Sequence, residues 1–244
     1  TFFSALITSI IFFIYTFWYL SKYAKIVIKF SQILNLKKIN DIFNINLNIF
    51  IRTILLTFSF LWFTYLGTKI GEDYVAANAI LINLVFLSAF ILDAYAFSTE
   101  GIVGYSLGKK DLTLFKNIVR NSFILSSISG LIISIIFFFT NNFVINFMSD
   151  IDEIRMLSSS YVIWLIILPV ISSFCYQFDG IFIGASQTKE LRNAMIFSVL
   201  VYLLISILLI KFLFNTGIWI SLCIFMILRA TSLFWYLNRI YLRF

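Results

Sequence analysis

The sequence predicts an all-α protein, a polytopic membrane helix bundle of about seven transmembrane helices. Of the 244 residues, 61% are hydrophobic and only 12% are charged, whereas about a quarter of the residues of a soluble domain are charged. The mean hydropathy is +1.02. Apolar stretches of about 20 residues, the length that crosses a bilayer as a helix, recur along nearly the whole chain.

Seven candidate spans follow one another, and most of the connections between them are short. The long exception is 21–48, which carries apolar residues at helical spacing with polar and basic residues between them. We expect this segment to be an amphipathic helix on the membrane surface. The spans are residues 1–20, 49–67, 74–98, 121–140, 160–183, 194–214 and 217–237.

The distribution of Lys and Arg predicts the orientation, because basic residues are retained on the cytoplasmic side. If 21–48 is inside, 99–120, 184–193 and the C-terminal tail are also inside. Thirteen of the 18 basic residues then lie inside and three outside, while Arg52 and Arg229 lie within spans. The C-terminus is therefore predicted to be cytoplasmic.

Five charged residues lie in or beside apolar spans. A charge in the hydrocarbon costs at least about 2.5–3.5 kcal/mol, so such residues usually face a protein interior or a water-filled cavity. The candidates for transport or ion coupling are Asp93, Asp179 and Glu100. The candidates for charge pairing or gating are Arg52 and Arg229.

Helical rise predicts which of these charges share a depth. At about 1.5 Å per residue, Asp93 lies roughly 26 Å along its span and Asp179 roughly 28 Å along its own, both nearer the cytoplasmic face than the midplane. Arg52 enters from the inside and reaches the same depth. These three residues are therefore predicted to form a charge cluster near the inner mouth. Glu100 lies two turns nearer the cytoplasm. Arg229 lies about 17 Å into the last span and needs a partner.

Each candidate also has a structural interpretation. Asp93 and Asp179 form either a cavity-facing ion or proton site or a purely structural ion pair. Glu100 could belong to a solvated helix extension, and Arg52 could extend its side chain to the inner interface. Arg229 is either a structural counter-ion or a gate.

Pro169 is the only proline and lies in the middle of the span 160–183. Because proline removes an internal hydrogen bond, we expect a kink there. The kink either serves packing or makes Pro169 the hinge of a moving helix.

Composition excludes several classes of function. The chain contains no His, which excludes His-containing zinc sites and Ser-His hydrolysis. It also lacks a glycine-rich phosphate loop, and its last span has no Lys that could form a retinal Schiff base. The net charge of +7 comes from basic residues in short loops, so no nucleic-acid partner is predicted. The chain is not expected to be an enzyme.

Three stretches together resemble one family. They are "RTILLTFSFLWFTYLGTKIGEDYVAANAIL" (52–81), "FILDAYAFSTEGIVGYSLGKKD" (90–111) and "FDGIFIGASQTKELRNAM" (178–195). In order and spacing they are similar to the C-terminal half of multidrug and toxic compound extrusion (MATE) exporters, in particular the DinF-like branch.

The resemblance implies twelve helices in two lobes, with both termini cytoplasmic. Residues 1–20 would be the last helix of a truncated N-terminal lobe, 21–48 the inter-lobe linker, and 49–244 the six-helix C-terminal lobe. It also implies export by alternating access, coupled to inward flow of Na⁺ or H⁺ and with no other cofactor. The implied partners are the lipid bilayer, small cationic or amphiphilic substrates and the missing N-terminal lobe.

Three positions depart from the family pattern. Tyr105 stands where many MATE proteins have Gln, and Ile183 where many have Arg. The acidic residue that other branches carry in the first helix of this lobe has no counterpart in 53–66. In the DinF-like branch the coupling carboxylate is expected in the N-terminal lobe, whereas Asp93, Glu100 and Asp179 fit the pattern of the branch itself.

The resemblance therefore predicts the C-terminal part of a cation-coupled multidrug efflux antiporter in a bacterial plasma membrane. Two alternatives remain open at this point. One is a flippase for lipid-linked sugars from the same superfamily, and the other is a membrane scaffold that transports nothing.

Overall fold

The computed structural model describes residues 2–23 and 36–241, and its described regular elements are all α-helices. The chain divides into two compact units, Thr1–Asn44 and Ile45–Phe244. The predicted all-α membrane fold is confirmed. The helices are α1 (Phe2–Tyr23), α2 (Leu36–Thr68), α3 (Glu72–Lys109), α4 (Leu112–Met148), α5 (Asp152–Ser160), α6 (Val162–Gly184) and α7 (Thr188–Tyr241).

Five of these helices are long and apolar enough to cross a membrane: α2, α3, α4, α6 and α7. The first predicted span corresponds to α1, which contains a shorter apolar segment, Leu6–Tyr19. Of the predicted surface helix 21–48, residues 24–35 lie outside the described residues. Residues 36–48 do not form a separate helix, because α2 begins at Leu36 and continues to Thr68.

The helices extend beyond the apolar stretches that predict them. Helix α3 has 38 residues, about 57 Å, compared with a hydrocarbon core of about 30 Å. It ends where Lys110 adopts a left-handed conformation with φ of 55°. Asp111 then caps α4, since its Oδ1 accepts a hydrogen bond of 2.8 Å from the Leu114 N–H. Hydropathy detects only the part of a helix that crosses the membrane, whereas caps determine where the helix ends.

Helix α5 is not predicted by the sequence analysis. It has nine residues, too few to span a membrane, and begins with Asp152 and Glu153. Two acidic residues in the first turn complement the helix dipole. An apolar-span search does not detect a short, polar helix of this kind.

The two last predicted spans form one element, α7, which reverses direction at Phe214. This residue has φ of 47° and ψ of −130° within otherwise helical backbone. The backbones of Leu209 and Gly217 are in contact, since a Cβ added to Gly217 would lie 2.6 Å from the Leu209 carbonyl carbon. Eight residues of straight helix would separate them by about 12 Å. Segments 188–213 and 215–241 are therefore the two arms of a hairpin.

Phe214 occupies a conformation that glycine adopts without strain. Replacing Phe214 with Gly is expected to raise the free energy of unfolding by about 0.5–2 kcal/mol. Relief of strain contributes about 1–3 kcal/mol, and the greater freedom of the unfolded glycine offsets about 0.5–1 kcal/mol of it. Thermal unfolding in detergent measures the change. Phe212→Gly, in helical backbone nearby, is the control and should destabilise; an unchanged or lower melting temperature for Phe214→Gly would contradict the strain.

The buried apolar side chains of the second unit form two clusters. The larger one includes Phe63, Tyr202 and Trp219, and the smaller one includes Phe115 and Phe182. In α6 the larger cluster ends at Tyr176 and the smaller begins at Phe178. In the second arm of α7 the corresponding residues are Met226 and Leu233. Asp179 and Arg229 therefore lie close to the boundary between two apolar layers.

Helices α3 and α6 cross in close backbone contact at two glycines. A Cβ on Gly180 would lie 2.9 Å from the Ala96 Cα, and a Cβ on Gly184 would lie 2.9 Å from the Glu100 Cα. Gly180 and Gly184 are four residues apart on α6, as Ala96 and Glu100 are on α3, so each pair lies on one face of its helix. This crossing places α6, with Asp179, directly against α3, with Asp93.

Pro169 lies inside α6, as predicted, and packs against α4. A Cβ on Gly130 of α4 would lie 2.9 Å from the Pro169 carbonyl oxygen. One turn away, the Ser134 hydroxyl of α4 donates a 2.6 Å hydrogen bond to the Ile166 carbonyl. A side chain of α4 thus hydrogen-bonds the α6 backbone near the proline. The hinge role of Pro169 stays a prediction.

Candidate functional site

Three helices bring one charged residue each into a buried cluster. Arg52 of α2 and Arg229 of α7 both donate to Oδ2 of Asp179 on α6, and the Arg229 Nη2–Asp179 Oδ2 distance is 2.7 Å. The side chains of Arg52, Asp179 and Arg229 are 15%, 7% and 1% exposed. We call these three residues the charge cluster.

Arg229 is enclosed by soft and aromatic groups. Its guanidinium carbon lies 5.5 Å from the Phe225 ring centre and 6.0 Å from that of Tyr176. Its Nη1 lies 3.4 Å from the Met226 sulfur. Aromatic rings stabilise a desolvated cation through their quadrupoles. These contacts supplement the carboxylate but do not neutralise the charge.

One carboxylate shared by two guanidinium groups leaves a charge of +1 in a region of low dielectric. The Nε groups of Arg52 and Arg229 donate to no acceptor among the described residues. Burying a charge without a partner costs several kcal/mol. The cluster therefore favours a further negative charge nearby.

Asp93 of α3 is a candidate for that charge. It is partly buried and interacts electrostatically with Asp179, Arg52 and Arg229. Within the part of the chain that the structure describes, Asp93 forms no ion pair within 4.0 Å. With Asp93 ionised, the four residues carry no net charge; with Asp93 neutralised, they carry +1.

The structure thus brings together four of the five predicted charged residues. The partner that Arg229 requires is Asp179, and Arg52 points inward to the same carboxylate instead of reaching the membrane interface. Glu100 is not part of the cluster. Its backbone packs against Gly184, and its side chain is partly exposed.

Two uncharged polar residues near the cluster were not predicted as part of it. Gln177 of α6 is fully buried, and its Oε1 accepts a hydrogen bond of 3.0 Å from the Thr99 hydroxyl of α3. Its Nε2 donates to no described residue. A Gln in an apolar span is itself a signal, since an intramembrane amide is costly without partners.

A second polar cluster lies at the opposite end of the bundle. Asn78 and Asn215 exchange two hydrogen bonds of 2.6 and 3.0 Å, and the Trp219 indole donates to Asn78 Oδ1 at 2.9 Å. Asn78 precedes Asp93 by 15 residues, about 22 Å along α3. All three side chains are buried and paired, which fixes the α7 reversal against α3. This cluster is uncharged and structural, whereas the charge cluster carries a net charge of +1.

Comparison with known proteins identifies the family of this fold. A family model described as MatE matches residues 49–208. DNA damage-inducible protein F of Escherichia coli (strain K12) is 33% identical over 189 residues, which cover 78% of this chain and 41% of that protein. The chain therefore spans less than half the length of this curated relative.

Solved structures share the fold. The Vibrio cholerae MATE transporter VcmN in its bent form has a TM-score of 0.76 at 18% identity, covering 87% of this chain and 50% of that one. An outward-facing multidrug resistance MATE family transporter has a TM-score of 0.70 at 16% identity, covering 79% of this chain and 44% of that one. Together with the family model and the 33% identical relative, these likenesses confirm the predicted resemblance: the chain belongs to the MatE family.

Proposed function

We propose that the chain is part of a multidrug and toxic-compound efflux antiporter of a bacterial inner membrane and is not an enzyme. Inward flow of Na⁺ or H⁺ would drive export of small cationic or amphiphilic compounds by alternating access. The proposal is supported by membership of the MatE family and by a similar fold in proteins described as MATE transporters.

In this proposal, residues 49–244 form one lobe of a two-lobed transporter, and 21–48 link it to the other lobe. The chain covers 50% of the VcmN transporter, which supports the assignment to one lobe. The C-terminus would be cytoplasmic, as the distribution of basic residues predicts. Rocking of the lobes about a central cavity would expose the site to each side in turn.

The observation that carries the coupling proposal is the difference between the two carboxylates. Asp179 accepts hydrogen bonds from two arginines, so uptake of a proton or Na⁺ by Asp179 would disrupt two ion pairs. Asp93 is partly exposed and forms no such pair within the described residues. Asp93 is thus the carboxylate that can take up a proton or Na⁺ without breaking an ion pair.

Charge balance gives this uptake a consequence for the substrate. When Asp93 is ionised, the four charged residues are neutral together, and a cationic substrate meets no net repulsion. When Asp93 takes up a proton or Na⁺, the same residues carry +1 and repel a cation nearby. Because electrostatic interactions are strong where water is excluded, the coupling ion and a cationic substrate would exclude each other. Mutual exclusion of this kind underlies antiport, since each ligand then favours a different state.

Replacing Asp93 with Asn is expected to lower cation-driven export at least tenfold while the protein still inserts and folds. The measurement is transport of ethidium, a lipophilic cation, by the full-length protein in vesicles with an imposed pH or Na⁺ gradient. Asp73→Asn, which removes an exposed carboxylate from the start of the same helix, is the matched control and should transport normally. Asp93→Glu should retain part of the activity.

Normal gradient-driven export by Asp93→Asn would contradict the coupling role. Transport of a lipid-linked sugar in place of ethidium, without need of a gradient, would favour the flippase. Absence of any ion-coupled flux in the wild type would favour a scaffold.

A further inference from the structure

An apolar groove lies between α4, α6 and the second arm of α7, and none of its lining residues belongs to α3. Its volume is about 550 Å³, within the usual range of small-molecule sites, about 300–1,000 Å³. The groove is lined by aromatic rings of all three helices, among them Phe123, Phe174, Phe178 and Phe234. Trp235, at its edge, is 81% exposed. We call this cavity the aromatic groove.

The aromatic groove continues toward the ends of α4 and α7. An adjoining cavity of about 390 Å³ shares Phe234, Trp235 and Leu237 with it and reaches Asn238 and Tyr241. The Tyr241 ring contacts the Phe115 ring of α4 edge-on, with 5.5 Å between the ring centres. The path along the groove thus ends beside the first turns of α4.

Two basic side chains lie on α4 at that end. Lys116 and Arg120 are exposed and are four residues apart. Lys116 lies three residues before Val119 and Arg120 three residues before Phe123, and Val119 and Phe123 line the groove. Residues three apart are neighbours on a helix surface, so both cations lie beside the groove. Among the described residues, neither Lys116 nor Arg120 forms an ion pair.

We propose that the aromatic groove binds an anionic phospholipid, with an acyl chain in the groove and the headgroup phosphate on Lys116 and Arg120. A long apolar groove that ends at two unpaired cations matches a ligand with one anionic end and one apolar chain. Basic pockets between transmembrane helices recognise anionic headgroups in this way. The two cations disfavour a cationic compound, so the groove is distinct from the substrate site proposed above.

Trp235 allows a direct test, because bromine atoms on an acyl chain quench tryptophan fluorescence on contact. The full-length protein is reconstituted with a small fraction of either brominated phosphatidylglycerol or brominated phosphatidylcholine. The contribution of Trp235 is the difference between the wild type and Trp235→Phe. We expect the anionic lipid to quench this contribution at least twice as strongly as the zwitterionic lipid at equal mole fraction.

Three variants distinguish binding of the lipid at this site from non-specific attraction by the surface charge. Lys116→Gln with Arg120→Gln should abolish the preference for the anionic lipid. Lys109→Gln with Lys110→Gln removes the same charge at the same end of the bundle, away from the groove, and should retain it. Thr231→Phe, which fills the groove, should reduce quenching by both lipids.

Equal quenching by both lipids in the wild type would overturn the proposal. Loss of the preference in the Lys109 and Lys110 variant, to the same degree as in the Lys116 and Arg120 variant, would also overturn it. The readout needs no transport, so the result is independent of the efflux proposal.

Discussion

Replacing Asp179 with Asn is expected to lower the free energy of unfolding by about 3–5 kcal/mol, the usual cost of removing one partner from a buried ion pair. Asp179 is the acceptor for both Arg52 and Arg229. Without its charge, a fully buried guanidinium and a mostly buried one remain in an apolar environment. Thermal unfolding of the purified protein in detergent measures the loss.

The matched control for this prediction is Asp93→Asn. It removes the same charge from the neighbouring helix but breaks no ion pair, and Asp93 is only partly buried, so its loss of stability should be smaller. Combining Asp179→Asn with Arg229→Met removes the most buried cation as well and should recover part of the loss. Asp179→Asn with unchanged stability would show that the charge cluster does not hold the bundle together.

The second large effect is expected at Gly180. An alanine Cβ there would lie 2.9 Å from the Cα of Ala96 and would overlap the carbonyl of the same residue. The obstacle is backbone, which cannot move aside as a flexible side chain can. We expect Gly180→Ala to lower the free energy of unfolding by about 2–3 kcal/mol, as in an overpacked core. Gly184→Ala, which meets the backbone of Glu100, should have a similar effect.

Gly101 of α3, the other helix of the crossing, provides the control. An added Cβ at Gly101 meets nothing within 4 Å. Gly101→Ala is therefore expected to stabilise α3 by about 0.5–1 kcal/mol, because alanine has the higher helix propensity. Equal melting temperatures for Gly180→Ala and Gly101→Ala would contradict the close α3–α6 crossing.

The position of the charge cluster could be predicted because charge and helical rise are properties of the sequence. Because the spans alternate in direction, Arg52, Asp93 and Asp179 lie at similar depths in the membrane, however each helix is rotated about its own axis. Depth does not determine which residues touch, since that depends on how each helix is turned about its axis. Only the structure shows that Arg229 pairs with Asp179 and that Glu100 is not part of the cluster.

Two glycines and two asparagines make contacts between helices that the sequence of an apolar span does not predict. "GIFIG" is frequent in membrane sequences, and nothing in the pattern names Ala96 and Glu100 as the facing residues. Asn78 and Asn215 carry no charge, so a search for charged residues misses them. Their reciprocal hydrogen bonds are visible only once α3 and the α7 hairpin are packed together.

The charge cluster also has a consequence for biosynthesis. Arg52 precedes Asp179 by 127 residues, and Arg229 follows Asp179 by 50. At about 5–20 residues per second, a nascent chain presents Arg52 roughly 6–25 s before its counter-ion exists. The helix with Arg52 must reach the translocon without a partner, so its arginine has to remain near lipid headgroups until α6 arrives. The Arg52–Asp179 pair can close once α6 has been synthesised, whereas the Arg229–Asp179 pair can close only after the second arm of α7 has followed.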